Sequence, residues 1–185
     1  MNIWRRFYNY FNPPDPKLTF VRGTKRTGYE GKIIGWQARE LAITEDYTLH
    51  SGKESIGELQ VINKWVNKIV TYERDIIGYN KRDFWESSQQ VRERQKADCD
   101  GYTTYKMWLM RQVELPDDKI MGVIWTNKDS GHMMAGYQFS KDDFYCLDNG
   151  YMTEDIIKAS ELFSSNNCHG MKPRAWFNMF GYGSF

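Results

Sequence analysis

The chain has 185 residues, 16% of them aromatic, and a net charge of +1. That length suits one compact domain with a real core, and the aromatic content argues against disorder over most of it. The near-neutral balance excludes electrostatic binding of nucleic acid or anionic membrane by the protein as a whole, so no nucleic-acid partner is expected.

The charge is uneven along the chain. Residues 1–32 carry seven Lys/Arg against Asp15 and Glu30, a net of +5, whereas residues 140–161 carry six acids against Lys141 and Lys158, a net of −4. Residues 1–11 mix Trp4, Phe7, Tyr8, Tyr10 and Phe11 with Arg5 and Arg6. They read as a short amphipathic helix that packs on the domain or serves as a docking arm for a partner or a membrane surface. Pro13-Pro14-Asp15-Pro16 ends it, and the glycine- and charge-rich residues 17–35 read as loop. The expected division is an N-terminal arm and loop-rich extension over 1–50 and a domain over 51–185.

Between Ser55 and Tyr72 the apolar residues Ile56, Leu59, Ile62, Trp65, Val66 and Ile69 recur at spacings of three and four, which predicts an amphipathic helix. Asp83-Phe84-Trp85 then leads into a polar stretch. A second helix is predicted from Cys99 to Val113, with Pro116 beyond its end. The period then changes. Lys119–Thr126, His132–Phe139 and Asp143–Leu147 read as strands, separated by Asn127-Lys128-Asp129-Ser130-Gly131 and Ser140-Lys141-Asp142. Thr153–Phe163 is expected to be a short helix with Thr153 as N-cap, and 171–180 a last strand. Helices followed by strands define an α+β domain.

Cys99, His132 and Asp148 follow one another in an order that suits thiol chemistry: nucleophile, base, orienting carboxylate. A thiol attacks carbonyl carbon as thiolate, and a helix N-terminus favours that charge. Cys99 at the first turn of its helix, with Asp98 as N-cap, has such help, and N–H groups there could hold an oxyanion. Alternation places His132, Met134 and Gly136 on one strand face, and Phe144, Cys146 and Asp148 on one face of the next. Two antiparallel neighbours would bring imidazole and carboxylate together, fixing the tautomer. Gln95, just upstream, is a candidate second oxyanion donor. Asp98 and Asp100 oppose ionisation of the thiol between them, so a cation is a candidate to neutralise them; a hard ion such as calcium suits oxygen ligands. No other cofactor is required.

Each residue also has a plainer reading. A single cysteine is a small buried apolar group, a single histidine a satisfied surface or core residue, and Asp148-Asn149-Gly150 a turn after a strand. A zinc cluster from Cys99, His132, Cys146, Cys168 and His169 lacks paired ligand spacings. The three cysteines are odd in number, without a CxxC, which favours a reducing compartment over a disulfide framework. No apolar run approaches transmembrane length, and Met1–Tyr8 lacks a continuous apolar signal region. A cytoplasmic protein, or one carried in a particle assembled in a cytoplasm, is expected.

From about Leu59 to Asn149 the chain resembles the bacterial transglutaminase-like cysteine proteinases. The matching residues are Val61-Ile62-Asn63-Lys64-Trp65-Val66-Asn67, Tyr72 with Asp75, Asp83-Phe84-Trp85, Asp98-Cys99-Asp100, Tyr102, Lys106, His132 and Leu147-Asp148-Asn149. The resemblance implies a papain-like or transglutaminase-like core, with the cysteine opening a central helix packed on an antiparallel sheet. It implies a Cys99–His132–Asp148 triad that cleaves amide bonds of protein or peptide substrates through a thioester. Some members depend on calcium held by acidic residues around the cysteine, matched here by Asp98 and Asp100; Gly101 stands where the family usually has Asp. Two other readings stay open. One is a transglutaminase-type acyl transferase using the same three residues. The other is a non-catalytic binding or structural module of an assembled particle such as a phage virion.

Overall fold

The computed structural model describes residues 28–41, 54–140, 143–164 and 168–184. The expected aromatic arm at residues 1–11 and the Ser140-Lys141-Asp142 turn lie wholly or partly outside them. The sheet is six-stranded and antiparallel throughout: β3 (Ile120–Thr126), β4 (Gly131–Ser140), β5 (Asp143–Leu147), β6 (Ile157–Lys158), β7 (Lys172–Phe177) and β8 (Tyr182–Ser184), in the order β6-β5-β4-β3-β7-β8. Four helices belong to the layer on one face: α1 (Glu30–Leu41), α2 (Ile56–Ile69), α4 (Ser88–Arg94) and α5 (Cys99–Gln112). The opposite face buries Met121, Val123, Trp125, Met134, Phe144 and Cys146 under Met152 and the short α6 (Ala159–Ser164), through Ala159 and Leu162.

Local chemistry sets the boundaries. Ser55 caps α2 by accepting from Glu58 N–H at 3.2 Å. A reciprocal pair between Ser87 and Gln90 opens α4, and Gln95 closes it in the left-handed region at φ 52°. Asp98 caps α5 by accepting from Asp100 N–H at 3.1 Å. That helix is buried along nearly its whole length, from Asp100 to Met110, which makes it the centre of the domain rather than a surface element.

Three differences from expectation have physical causes. Residues 30–41, assigned to the loop-rich extension, form α1. Ile33 and Trp36 are buried there, with Trp36 edge-on to Phe177 at 5.1 Å, so tertiary burial overrides the low propensity of Gly31 and Gly35. The helix expected from Thr153 begins only at Ala159. The Asp148 carboxylate captures the N–H groups of Met152 and Thr153, and Ile157–Lys158 pairs with the edge of β5. A further pair of two-residue strands, β1 (Thr71–Tyr72) and β2 (Lys96–Ala97), runs parallel and places α3 (Asp75–Gly78) beside the start of α5.

Candidate active site

Cys99 is the first residue of α5 and lies at the boundary between core and exterior. The main chain of Met133, one residue beyond His132 on β4, faces its sulfur and favours the ionised form. Dense surroundings push the thiol well above its usual range; the charges of Asp98 and Asp100 add to this, and the Met133 main chain works against it.

The β4–β5 register pairs Ala135 with Leu147 and Gly136 with Cys146, which carries Asp148 alongside the beginning of β4. His132 Nε2 lies 2.5 Å from Asp148 Oδ1. An ionised carboxylate only accepts, so Nε2 is the donor and Nδ1 presents the free lone pair. Asp148 has no exposed surface. Its Oδ2 accepts from Met152 N–H at 2.5 Å and Thr153 N–H at 3.0 Å. Burial works to raise this carboxyl, but the bond from His132 and the two main-chain donors outweigh it and hold it below the usual carboxylate range. The Tyr151 ring is tilted against the imidazole with centroids 4.9 Å apart, and the His169 ring lies 5.0 Å from Tyr151.

The parallel β1–β2 pairing, extended by Glu73 N–H to Ala97 C=O at 2.9 Å, delivers a third carboxylate. Asp75, Asp98 and Asp100 place carboxylate oxygens within 4.8 Å of one another, the only such group among the described residues. Asp75 also accepts from the Phe84 N–H. Burial, then the charge of Asp75, pushes Asp98 up to about 6; burial, then the charge of Asp98, raises Asp100 well above its ordinary value. Asp100 is 4% exposed, and its Oδ1 has no hydrogen-bond partner among the described residues. Glu86, wholly buried, accepts from Arg94 at 2.7 Å and is pushed up to about 7 by burial. A Cβ at Gly101 would come 2.1 Å from Glu86 Oε2 and 2.5 Å from Ala97 Cβ, so the Glu86 carboxylate sits where a side chain at 101 would start. A cavity of about 210 Å³ opens beside this cluster, lined by Tyr72, Arg74, Asp75, Ile76, Arg82 and Asp98.

Of the sequence candidates, His132 and Asp148 meet directly, Cys99 lies against the main chain of Met133, the residue after His132, and Asp98 and Asp100 share one acidic cluster. Gln95 is exposed at the end of α4, its main chain bonded to Val91 and Thr71. Cys146 is in the core on the far face of the sheet and is not drawn into a cluster with His132. Asp75 entered the sequence reading only through the resemblance. It lies 23 residues before Asp98, joined by a two-residue parallel ladder that leaves no periodic trace. Lys106 likewise entered only through the resemblance and without a role: it is fully buried and bonded to the main chain of Asp148.

A helix-borne cysteine packed on an antiparallel sheet, with a histidine–aspartate pair on the adjoining strands, is the architecture of a cysteine peptidase-like enzyme with the transglutaminase-like fold. The family described as bacterial transglutaminase-like cysteine proteinase (BTLCP) matches residues 37–176, and the chain belongs to it. Three solved structures of LapG from Legionella pneumophila share the fold. One is EGTA-treated and one calcium-bound; each of the three has a TM-score of 0.60 at 20% identity, over 83% of this chain and 85% of the EGTA-treated and 87% of the other two LapG chains. No curated protein matches the chain. Among the described residues no helix is long and apolar enough to cross a membrane.

Proposed function

We propose that the protein hydrolyses amide bonds of protein substrates with Cys99 as nucleophile, His132 as base and then acid, and Asp148 as the group that orients His132. His132 Nδ1 takes the thiol proton as sulfur attacks the carbonyl carbon. Main-chain N–H groups at the first turn of α5 take the oxyanion, and the Gln95 amide is the further donor assigned to it. Collapse of the tetrahedral adduct breaks the C–N bond, and the imidazolium gives its proton to the departing amine. Water, deprotonated by the same nitrogen, then releases the acid from the thioester. The observation that carries this reading is the 2.5 Å His132–Asp148 contact, which commits Nε2 and leaves Nδ1 for the thiol. The free thiols suit a cytoplasmic or other reducing site of action.

The acidic cluster fits a hard cation, and LapG has a calcium-bound form. Asp75, Asp98 and Asp100 would hold calcium: all donors are oxygens, and Asp100 Oδ1 is buried without a partner. Bound there, the ion supplies positive charge beside the nucleophile. The test is mass spectrometry of a general peptide library with calcium, with and without an added amine. Cleavage that disappears in Cys99→Ala supports the reading. Cross-linking to the amine assigns acyl transfer instead, and no reaction under either condition overturns both.

A further inference from the structure

Lys106 lies in the core with no exposed surface. Its Nζ donates to Asn63 Oδ1 at 2.7 Å and to the main-chain oxygen of Asp148 at 2.6 Å, and it stands 5.7 Å from the centre of the Tyr102 ring. An ammonium loses its hydration on burial, and an apolar side chain of similar volume often fills such a site with equal or greater stability. Stability alone therefore does not explain this lysine. Its bond to Asp148 gives it another role.

Lys106 comes seven residues after Cys99, two turns along α5 and on the same face. One rigid helix thus carries the thiol at its start and the ammonium two turns in. From Lys106 the connection runs to the Asp148 carbonyl and through the Asp148 carboxylate to His132, whose chain neighbour Met133 favours ionisation of the Cys99 sulfur through its main chain. Asn67 Nδ2, from α2, donates to the same Asp148 carbonyl at 2.9 Å. With Met152 and Thr153 holding Oδ2, Asp148 is fixed at both ends.

We infer that Lys106 is a positioning residue: it fastens the main chain of Asp148 to the thiol-bearing helix and so keeps the His132 imidazole in its Nε2–H tautomer, with Nδ1 toward Cys99. This rests on the roles given above to His132 and Asp148. The groups facing Lys106 are the neutral amides Asn63 and Asn67 from α2, the Tyr102 ring from its own helix, and Asp148 at the end of β5 as the charged one. Burial brings the ammonium down to about 7, with the Asp148 charge working against this. Charge-assisted donation therefore weakens as the solution becomes alkaline.

The test is ¹⁵N NMR of the full chain labelled at histidine and lysine. The wild type should give a far-downfield Nε2 proton and ring shifts of the Nε2–H tautomer at His132. In Lys106→Met, folded by circular dichroism, that proton should be lost, and the ratio of Nδ1–H to Nε2–H tautomer should rise about tenfold, the equivalent of one pKa unit of interaction. A folded Lys106→Met with both signatures unchanged overturns the inference. Absence of the downfield proton in the wild type removes the His132–Asp148 pairing, and this inference with it. If Lys106→Met does not fold, the wild type decides. His132 ring shifts that inflect together with the Lys106 Nζ titration support the link, and ring shifts blind to that titration overturn it.

Discussion

Replacing Asp100 with Asn should raise stability without calcium and remove the stabilisation that calcium brings. Asp100 is 4% exposed, lies with Asp75 and Asp98 inside a 4.8 Å cluster, and leaves Oδ1 unpaired among the described residues. Two unit charges about 5 Å apart at an effective dielectric of about 20 repel by roughly 3 kcal/mol. Protonation within the cluster relieves part of this, so removing one charge should gain about 2 kcal/mol. For a domain of this size that is a rise in Tm of about 4–8 °C. With calcium at about 100 times its Kd, the wild type gains about 2.7 kcal/mol, while the variant, short of one anionic ligand, gains little. Thermal melts of both proteins in EGTA and in excess calcium should therefore cross. A variant that melts below the wild type in EGTA, or one that responds to calcium as the wild type does, refutes the cation site.

Asp148→Asn keeps the shape but loses the obligate acceptor for His132 Nε2, and should lower turnover on a cleaved peptide by about two to four powers of ten, as in other triads; a loss under tenfold would count against the pair. In iodoacetamide labelling of the calcium-loaded protein, Cys99→Ala should abolish the fast site, whereas Cys146→Ala, which removes a fully buried thiol whose tendency to ionise burial suppresses, should leave it. Gly101→Ala would force a methyl to within 2.1 Å of Glu86 Oε2 and should cost about 1–3 kcal/mol, seen as a lower urea midpoint. Glu86 provides the pH test. Its folded pKa is about 7, raised above the unfolded value of about 4.3, so the native state binds the extra proton between those values and its contribution to stability is lost as pH rises through them. Chelated wild type should lose Tm relative to Glu86→Gln between pH 4.5 and about 7; a constant difference would contradict the burial of that charge.

The sequence made α5 legible because its cap, its first residue and its apolar run all agree. His132 and Asp148 were legible as neighbours because they stand at the adjoining ends of two paired strands, where the register sets them side by side, although alternation sends Met134 and Cys146 to the face away from α5. What it hid is non-local. Nothing around Glu30 distinguishes α1 from a charged, glycine-containing loop until Trp36 meets Phe177. Asp75 is ordinary until two dipeptides 25 residues apart pair in parallel. Lys106 looks like a solvated side chain of a helix, and only the packing of α2 and the end of β5 around it makes it an internal cation.

The β1–β2 ladder is two residues long, extended by the Glu73–Ala97 bond, and it carries Asp75 to the other carboxylates. Mutual repulsion pries such a short ladder apart, and a shared ion would draw it shut. Amide exchange at Thr71 and Glu73, which donate to Gln95 and Ala97, should therefore slow when the ion binds. Two protons of the backbone would then report occupancy of a centre whose own atoms are spectroscopically silent.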